Sequence, residues 1–231
     1  MTAASMGKAA RVPVAYVAVL VPAMGALNIV GGWINSTLKL PIFLDMIGTM
    51  VASVALGPWW GALTGIITNT AASFVISPTM IPFALCNVVG ALVWGYGIRS
   101  FGMGRSATRL VILGIICGIL VQLMASPIVV FVFGGATGHS SDALVAAFAA
   151  AGNSLIASSL LAGITGSIAD KMIATFVGLA ILRALPPGLT AGIELPKSEG
   201  QQNLMLIVGG VVLGVILVLL SVFVVTPALS S

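Results

Sequence analysis

The chain has 231 residues, of which 59% are hydrophobic and only 6% charged, with a formal net charge of +4. A soluble domain carries roughly a quarter charged residues, and no water-soluble fold of this length can hide so much apolar surface. Composition therefore excludes an ordinary soluble protein and selects one that uses lipid as its solvent.

Helices and closed barrels are the two structures that satisfy their backbone inside a bilayer. Long unbroken apolar runs, rather than ten-residue alternation, select helices, so the expected fold is an all-α polytopic membrane bundle. Lys8 and Arg11 precede an apolar run from Val12 to Trp33, which is too long for a signal peptide and reads as a retained first span, to about Ile34. The polar piece from Asn35 to Lys39 follows. A short second span, Pro41 to Leu56, carries Asp45 and stops at Gly57-Pro58, where Trp59 and Trp60 suit an interface.

The third span covers Gly61 to Ile76, and Pro78 and Pro82 bracket the turn after it. The fourth runs from Phe83 to Ile98 and is followed by a basic loop with Arg99, Arg105 and Arg109. The fifth spans Leu110 to Phe133. The stretch from Gly134 to Ser167 holds Gly134-Gly135, His139, Asp142 and many small residues, and it reads either as a span or as structure on one face. A further helix is expected from Ile168 to Leu185, ending at Pro186-Pro187. A polar linker with Glu194, Lys197 and Glu199 leads to a last span, Leu204 to Val225.

Charge arbitrates the ambiguous stretch. If residues 134–167 stay on one side, then Lys8, Arg11, Arg99, Arg105, Arg109, Arg183 and Lys197 share one face and only Lys39 and Lys171 lie on the other. That arrangement obeys the positive-inside rule best. It predicts six core spans within residues 1–187, a cytoplasmic linker over 188–203 and an added C-terminal span in 204–231. The N-terminus is then cytoplasmic in a multi-pass cell-membrane protein.

Ionisable residues inside spans are costly and so are candidates for function. Asp45 could bind a ligand or pair with Lys39. Asp170 and Lys171 are expected at the start of the sixth helix, where the acid suits the helix dipole and the lysine does not. Lys171 is therefore a candidate ligand contact. Asn28, Asn69, Asn87, Gln122 and Asn153 serve either as interhelical glue or as ligand contacts, Asn87 being favoured for the site. His139, with no second metal-binding residue near it, reads as a loop residue over a cavity rather than a metal ligand. Cys86 and Cys117 read as small buried hydrophobes. Four-residue glycine stripes at Gly57-Gly61-Gly65, Gly114-Gly118 and Gly210-Gly214 predict close helix packing.

There is no P-loop, no zincin motif and no catalytic triad context. One His and five acids supply acid/base chemistry poorly, so an enzyme is not expected. No catalytic residue, metal or cofactor is assigned, and no basic-aromatic cluster points to nucleic acid.

The ordered segments Leu27-Asn28-Ile29-Val30-Gly31, Leu38 to Thr49 (Leu-Lys-Leu-Pro-Ile-Phe-Leu-Asp-Met-Ile-Gly-Thr), Leu56 to Gly65, Phe133 to Gly138, Ala169-Asp170-Lys171 and Leu185-Pro186 resemble the substrate-binding S components of energy-coupling factor (ECF) transporters, over residues 12–187. The resemblance implies a six-helix subunit that captures a vitamin or related micronutrient from outside. Its partners would be a transmembrane coupling subunit and two ATPases, which fits the missing P-loop. The implied site lies near the outer face, with Asp45, Lys39, Asn87, His139, Lys171 and Asn28 as polar contacts and Phe43 and Trp33 available to stack on a ring. Two features depart from the family: Ala15, Ala18, Ala23 and Ala26 lack its Ala-x-x-x-Ala docking spacing, and the C-terminal span is extra. The rival readings are a membrane sensor or scaffold that binds a small ligand without transport, a secondary transporter, and an intramembrane enzyme. The substrate does not follow from the sequence.

Overall fold

The computed structural model describes residues 13–196, 202, 204–216 and 219. Lys8, Arg11, Lys197, Glu199 and the last part of the expected C-terminal span lie outside the described residues. The fold is all-helical, with no strand among the described residues. Three helices are long and apolar enough to cross a membrane: Val14–Leu38, Ala107–Val132 and Leu155–Ala184.

The first helix, α1 (Val14–Leu38), outruns its expected end. Asn35, Ser36 and Thr37 looked like a loop because they are polar, yet they extend the helix to Lys39, whose left-handed backbone (φ 53°) caps it. Val21, Gly25, Asn28, Gly32 and Asn35 are buried and recur at spacings of four and three, so one narrow stripe faces the bundle. The other faces carry exposed Val14, Val19, Val30 and Trp33. A helix apolar on the faces turned away from its neighbours is what a lipid solvent permits.

The second expected span is only partly helical. α2 (Ile47–Ala55) has nine residues, and all of them after Ile47 are buried. At about 1.5 Å per residue it covers roughly half of a hydrocarbon core. Residues 40–46 run non-helically before it, with Leu44 at φ 58°. Pro41 disfavours the helical conformation in the residue before it. Two glycines then let this segment lie against α1. A Cβ at Gly31 would fall on the Leu44 carbonyl oxygen, and one at Gly48 on that of Met24.

α3 (Pro58–Val75) starts after Gly57, whose φ of 123° suits glycine alone, with Pro58 in the first turn. A 3-10 turn, Pro78–Met80, leads to α4 (Ala84–Arg99). α5 (Ala107–Pro127) continues into a π turn, Ile128–Val132, where Pro127 interrupts the regular ladder. α6 (Asp142–Ala150) is short and lies between the long helices in sequence.

α7 (Leu155–Ala184) has 30 residues and starts well before the expected Ile168. Residues 134–154 therefore stay at one end, while Leu155 to Ser167 belongs to the helix. Its Ala, Ser and Gly residues serve close packing on α5. A Cβ at Gly163 would strike the Gln122 side chain, and one at Gly118 would lie 2.5 Å from the Ile168 Cα. The other glycine stripes also meet neighbours within the chain: Gly61 meets Ser53, Gly65 meets Asn87, and Gly210 meets the Phe176 ring. α8 (Pro187–Thr190) is a single turn, and α9 (Leu204–Ile216) packs on α7 through Gly210 and Gly214.

The core gathers around α2. Met50, Val51, Val54, Trp94, Leu110, Met172, Phe176 and Leu179 are fully or almost fully buried in one cluster. The Trp94 Nε1–H donates to Thr175 Oγ1 at 2.9 Å, so its one polar atom is satisfied. Cys86 and Cys117 are buried and unbridged.

One end of the bundle is basic. Arg99 donates to the Val54 and Ala55 carbonyls, closing the C-terminus of α2 with a positive charge. Arg105 pairs with Glu194, Arg109 donates to the Gly102 carbonyl, and Arg183 donates to the Pro196 carbonyl. The first half of the expected linker is thus packed: Leu189 is buried, and Ile193 and Leu195 rest on the core.

Candidate functional site: a polar cavity at one end of the bundle

The opposite end holds a cavity of about 310 Å³. Its wall is made by the C-terminal turns of α1 and α3, residues 39–46, residues 76–83, the start of α4, the end of α5, residues 137–145 and the first half of α7. Each of these helices ends or begins here, so all of them direct side chains into one space.

The floor is a directional hydrogen-bond chain through four helices. Asn28 Nδ2 donates to Thr49 Oγ1 (2.9 Å) and Thr68 Oγ1 (3.1 Å), while its Oδ1 accepts from the Gly48 N–H (2.7 Å). Thr49 Oγ1 donates to Asn87 Oδ1 at 2.6 Å, Asn87 Nδ2 to Asn69 Oδ1 at 2.7 Å, and Asn69 Nδ2 to the Met80 carbonyl at 2.8 Å. Thr68 passes its own proton to the Thr64 carbonyl. These buried amides are mutually satisfied, so Asn28 and Asn87 line the cavity as a fixed floor that holds α1, α2, α3 and α4 in register.

The wall beside α7 is charged. Asp170 and Lys171 lie near the middle of α7, each 1% exposed, and not at a helix start. The dipole explanation for Asp170 is therefore replaced by another. Asp170 Oδ1 accepts from the Leu44 N–H (2.7 Å) and the Phe43 N–H (3.3 Å), so it suspends residues 40–46, and its Oδ2 pairs with the Lys171 ammonium. A buried charge persists only when paired and hydrogen-bonded, and this one has three donors. Ser140 Oγ ties the same segment to the next loop by donating to the Leu40 carbonyl at 3.0 Å.

Phe43 projects from that segment between partners. Its ring stacks on His139 with centroids 4.5 Å apart and planes 20° from parallel, and the Lys171 Nζ stands 5.6 Å from its centroid. One face of Phe43 is thus already given to His139. Ser141 N–H donates to His139 Nδ1 at 3.2 Å, which makes Nδ1 an acceptor and places the proton of the neutral ring on Nε2. Burial lowers the His139 pKa below the ordinary histidine value, against the pull of the Ile42 carbonyl, Asp142 and Asp170. Asp142 organises this loop by accepting from the Thr137 and Gly138 N–H groups and the Thr137 hydroxyl.

Asp45 and Lys39 also line the cavity, and neither belongs to the two ion pairs found among the described residues. Asp45 lies just before α2 rather than within a helix, with its Cβ near Gly32 of α1. Its carboxylate meets its own backbone N–H and the field of Lys171, whose ammonium is engaged by Asp170. Lys39 is exposed at the end of α1. The pairing of Asp45 with Lys39 considered from sequence is not formed. Trp33 is not part of the wall: it is 55% exposed on the outer side of α1.

Seven of the eight sequence candidates therefore share one cavity: Asp45, Lys39, Asn87, His139, Lys171, Phe43 and Asn28. Sequence reasoning missed Asn35, Asp170 and Ser159. Asn35 follows Asn28 and Gly32 on the buried stripe of α1, a signal hidden by ending the helix at Ile34. Its Oδ1 is buried without a hydrogen-bond partner, so the wall is incompletely satisfied at this atom. Gln122, which donates to Ser126 Oγ and the Ser159 carbonyl, completes the side facing α5. No group of three or more potential metal ligands gathers among the described residues. No family model, curated protein or solved structure matches the chain.

Proposed function

We propose that this chain is the substrate-capture subunit of an ECF-type importer for a vitamin or related micronutrient, working with a coupling subunit and two ATPases. The observation that carries the reading is the polar cavity of about 310 Å³ at one end of an otherwise apolar bundle. That volume suits a small molecule, and the lining combines aromatic surface with a few polar groups. In this reading α1, α2 with residues 40–46, α3, α4, α5 and α7 form the six-pass core in the cell membrane, and α9 belongs to an added seventh pass. The arginine end faces the cytoplasm, by the positive-inside rule, and the N-terminus lies on that side. The cavity then opens outward, where a scarce nutrient is met. Transport energy comes from partners, since the sequence has no P-loop of its own.

The test is to purify the full chain from its native membrane and identify co-eluting proteins by mass spectrometry. Recovery of a coupling subunit and two ATPases supports capture for import. Recovery of a kinase or cyclase without ATPases refutes it and makes the chain a sensor.

A further inference from the structure

We propose that the cavity binds a small zwitterion with its basic nitrogen at Asp45 and its acidic group at Lys39; this rests on the reading of the cavity as a capture site. The argument is a count of charges left unmatched. Four ionisable side chains lie in or against the wall: Lys39, Asp45, Asp170 and Lys171. Asp170 and Lys171 cancel within the protein, since they pair with each other and Asp170 also holds the Phe43 and Leu44 N–H groups. This removes Lys171, the buried cation, from the charges a ligand must satisfy.

One carboxylate and one ammonium then remain, at different levels. Asp45, partly buried, sits beside Gly32 just before α2, while Lys39 is exposed at the end of α1. A carboxylate in a partly closed site gains most from a cation that brings N–H donors of its own. An ammonium at the rim is solvated, so it adds less affinity and acts mainly on orientation. Together they favour a molecule that enters basic end first and leaves its acidic group at the mouth. A simple anion would place its charge against Asp45 or leave Asp45 unmatched. A simple cation would leave Lys39 unmatched and meet its repulsion on entry.

The experiment uses the purified full chain immobilised in detergent and a small-molecule extract of the cells that make it as the probe. Retained compounds are identified by mass spectrometry on the wild type and on Asp45→Asn, Asp45→Glu and Lys39→Ala. The expected result is enrichment of a zwitterion. Retention falls at least tenfold in Asp45→Asn, less in Asp45→Glu, and by a few-fold in Lys39→Ala. Enrichment of an anion, a neutral compound or a pure cation overturns the assignment while leaving capture standing. A retained zwitterion insensitive to Asp45→Asn overturns it as well. The wild-type result decides the charge class even if a variant fails to fold. If the wild type enriches no compound, the capture reading fails and takes the assignment with it.

Discussion

Asp170 and Lys171 form an ion pair whose two members are not equally dependent on each other. Removing the carboxylate charge by Asp170→Asn leaves the Lys171 ammonium, 1% exposed, with no ion-pair partner, the Phe43 ring beside it and the Asp45 carboxylate acting on it only through space. Removing the ammonium by Lys171→Met leaves Asp170 still accepting from two backbone N–H groups. Breaking a buried pair by deleting one partner costs about 3–5 kcal/mol when the survivor has nothing else. Asp170→Asn should fall toward the lower end of that range, because the Asp45 carboxylate still attracts the ammonium. Lys171→Met should cost about 1–2 kcal/mol, since hydrogen bonds to a charged acceptor recover roughly 1.5–3 kcal/mol each. The double variant removes both charges and should be more stable than Asp170→Asn alone, by about 2 kcal/mol. The assay is reversible unfolding in mixed micelles, followed by circular dichroism, with a double-mutant cycle to isolate the coupling. Equal single costs with simple additivity would refute the reasoning, because Asp170 would then not be held independently by residues 43 and 44.

Three further outcomes follow from the geometry. Gly31→Ala places a methyl on the Leu44 carbonyl and should destabilise by about 1–3 kcal/mol, whereas Gly209→Ala, with open space around it, should be neutral or stabilising by up to about 1 kcal/mol; thermal unfolding of the two variants side by side checks this. Asn87→Ala strips the Thr49 hydroxyl of its acceptor and Asn69 Oδ1 of its donor, and should cost about 2–4 kcal/mol, with Asn87→Asp less harmful only if it keeps the Thr49 bond, as measured by the same unfolding assay. The His139 ring should titrate below the free-histidine midpoint of about 6.5, measured by NMR on ring-labelled protein. The folded state then binds fewer protons than the unfolded state. Stability from this group is intact above that midpoint and is lost as pH falls through it toward the folded value. A midpoint above 6.5 would show that the acidic neighbours outweigh burial.

Hydropathy located the helices well where the apolar run was continuous, as in α5, and poorly where polarity served the interior. Asn35, Ser36 and Thr37 are polar because they reach the end of the bundle where the cavity lies, and a scale that equates polarity with loops cut α1 short. The stretch from Leu155 to Ser167 was left open from sequence and set to one side by the charge rule, yet it forms the first part of α7, where its small residues bring α7 close to α5. Pro41 to Asp45 erred in the opposite direction. Its apolar composition reads as a span, but the chain there is non-helical and clasped between Gly31 and Asp170. The candidate cavity was legible as a set of costly residue types, since charges and amides in apolar surroundings pointed to Asp45, Lys171, Asn28 and Asn87, which line it. Their roles were not, because role depends on which atoms meet. Adjacency in sequence could not reveal that Asp170 spends both oxygens on other groups, that Phe43 yields a face to His139, or that Trp33 turns away.

α7 is a mechanical element of the fold. Its 30 residues form one rod of about 45 Å. Near its middle it carries the segment that closes the cavity, and at its far end Arg183 grips the Pro196 carbonyl beside the basic loop. A helix is stiff along its axis, so a shift of residues 40–46 is also a pull on α7, and a pull on α7 from the basic end is also a shift of residues 40–46. The Asp170 carboxylate is the pin that joins residues 40–46 to this rod.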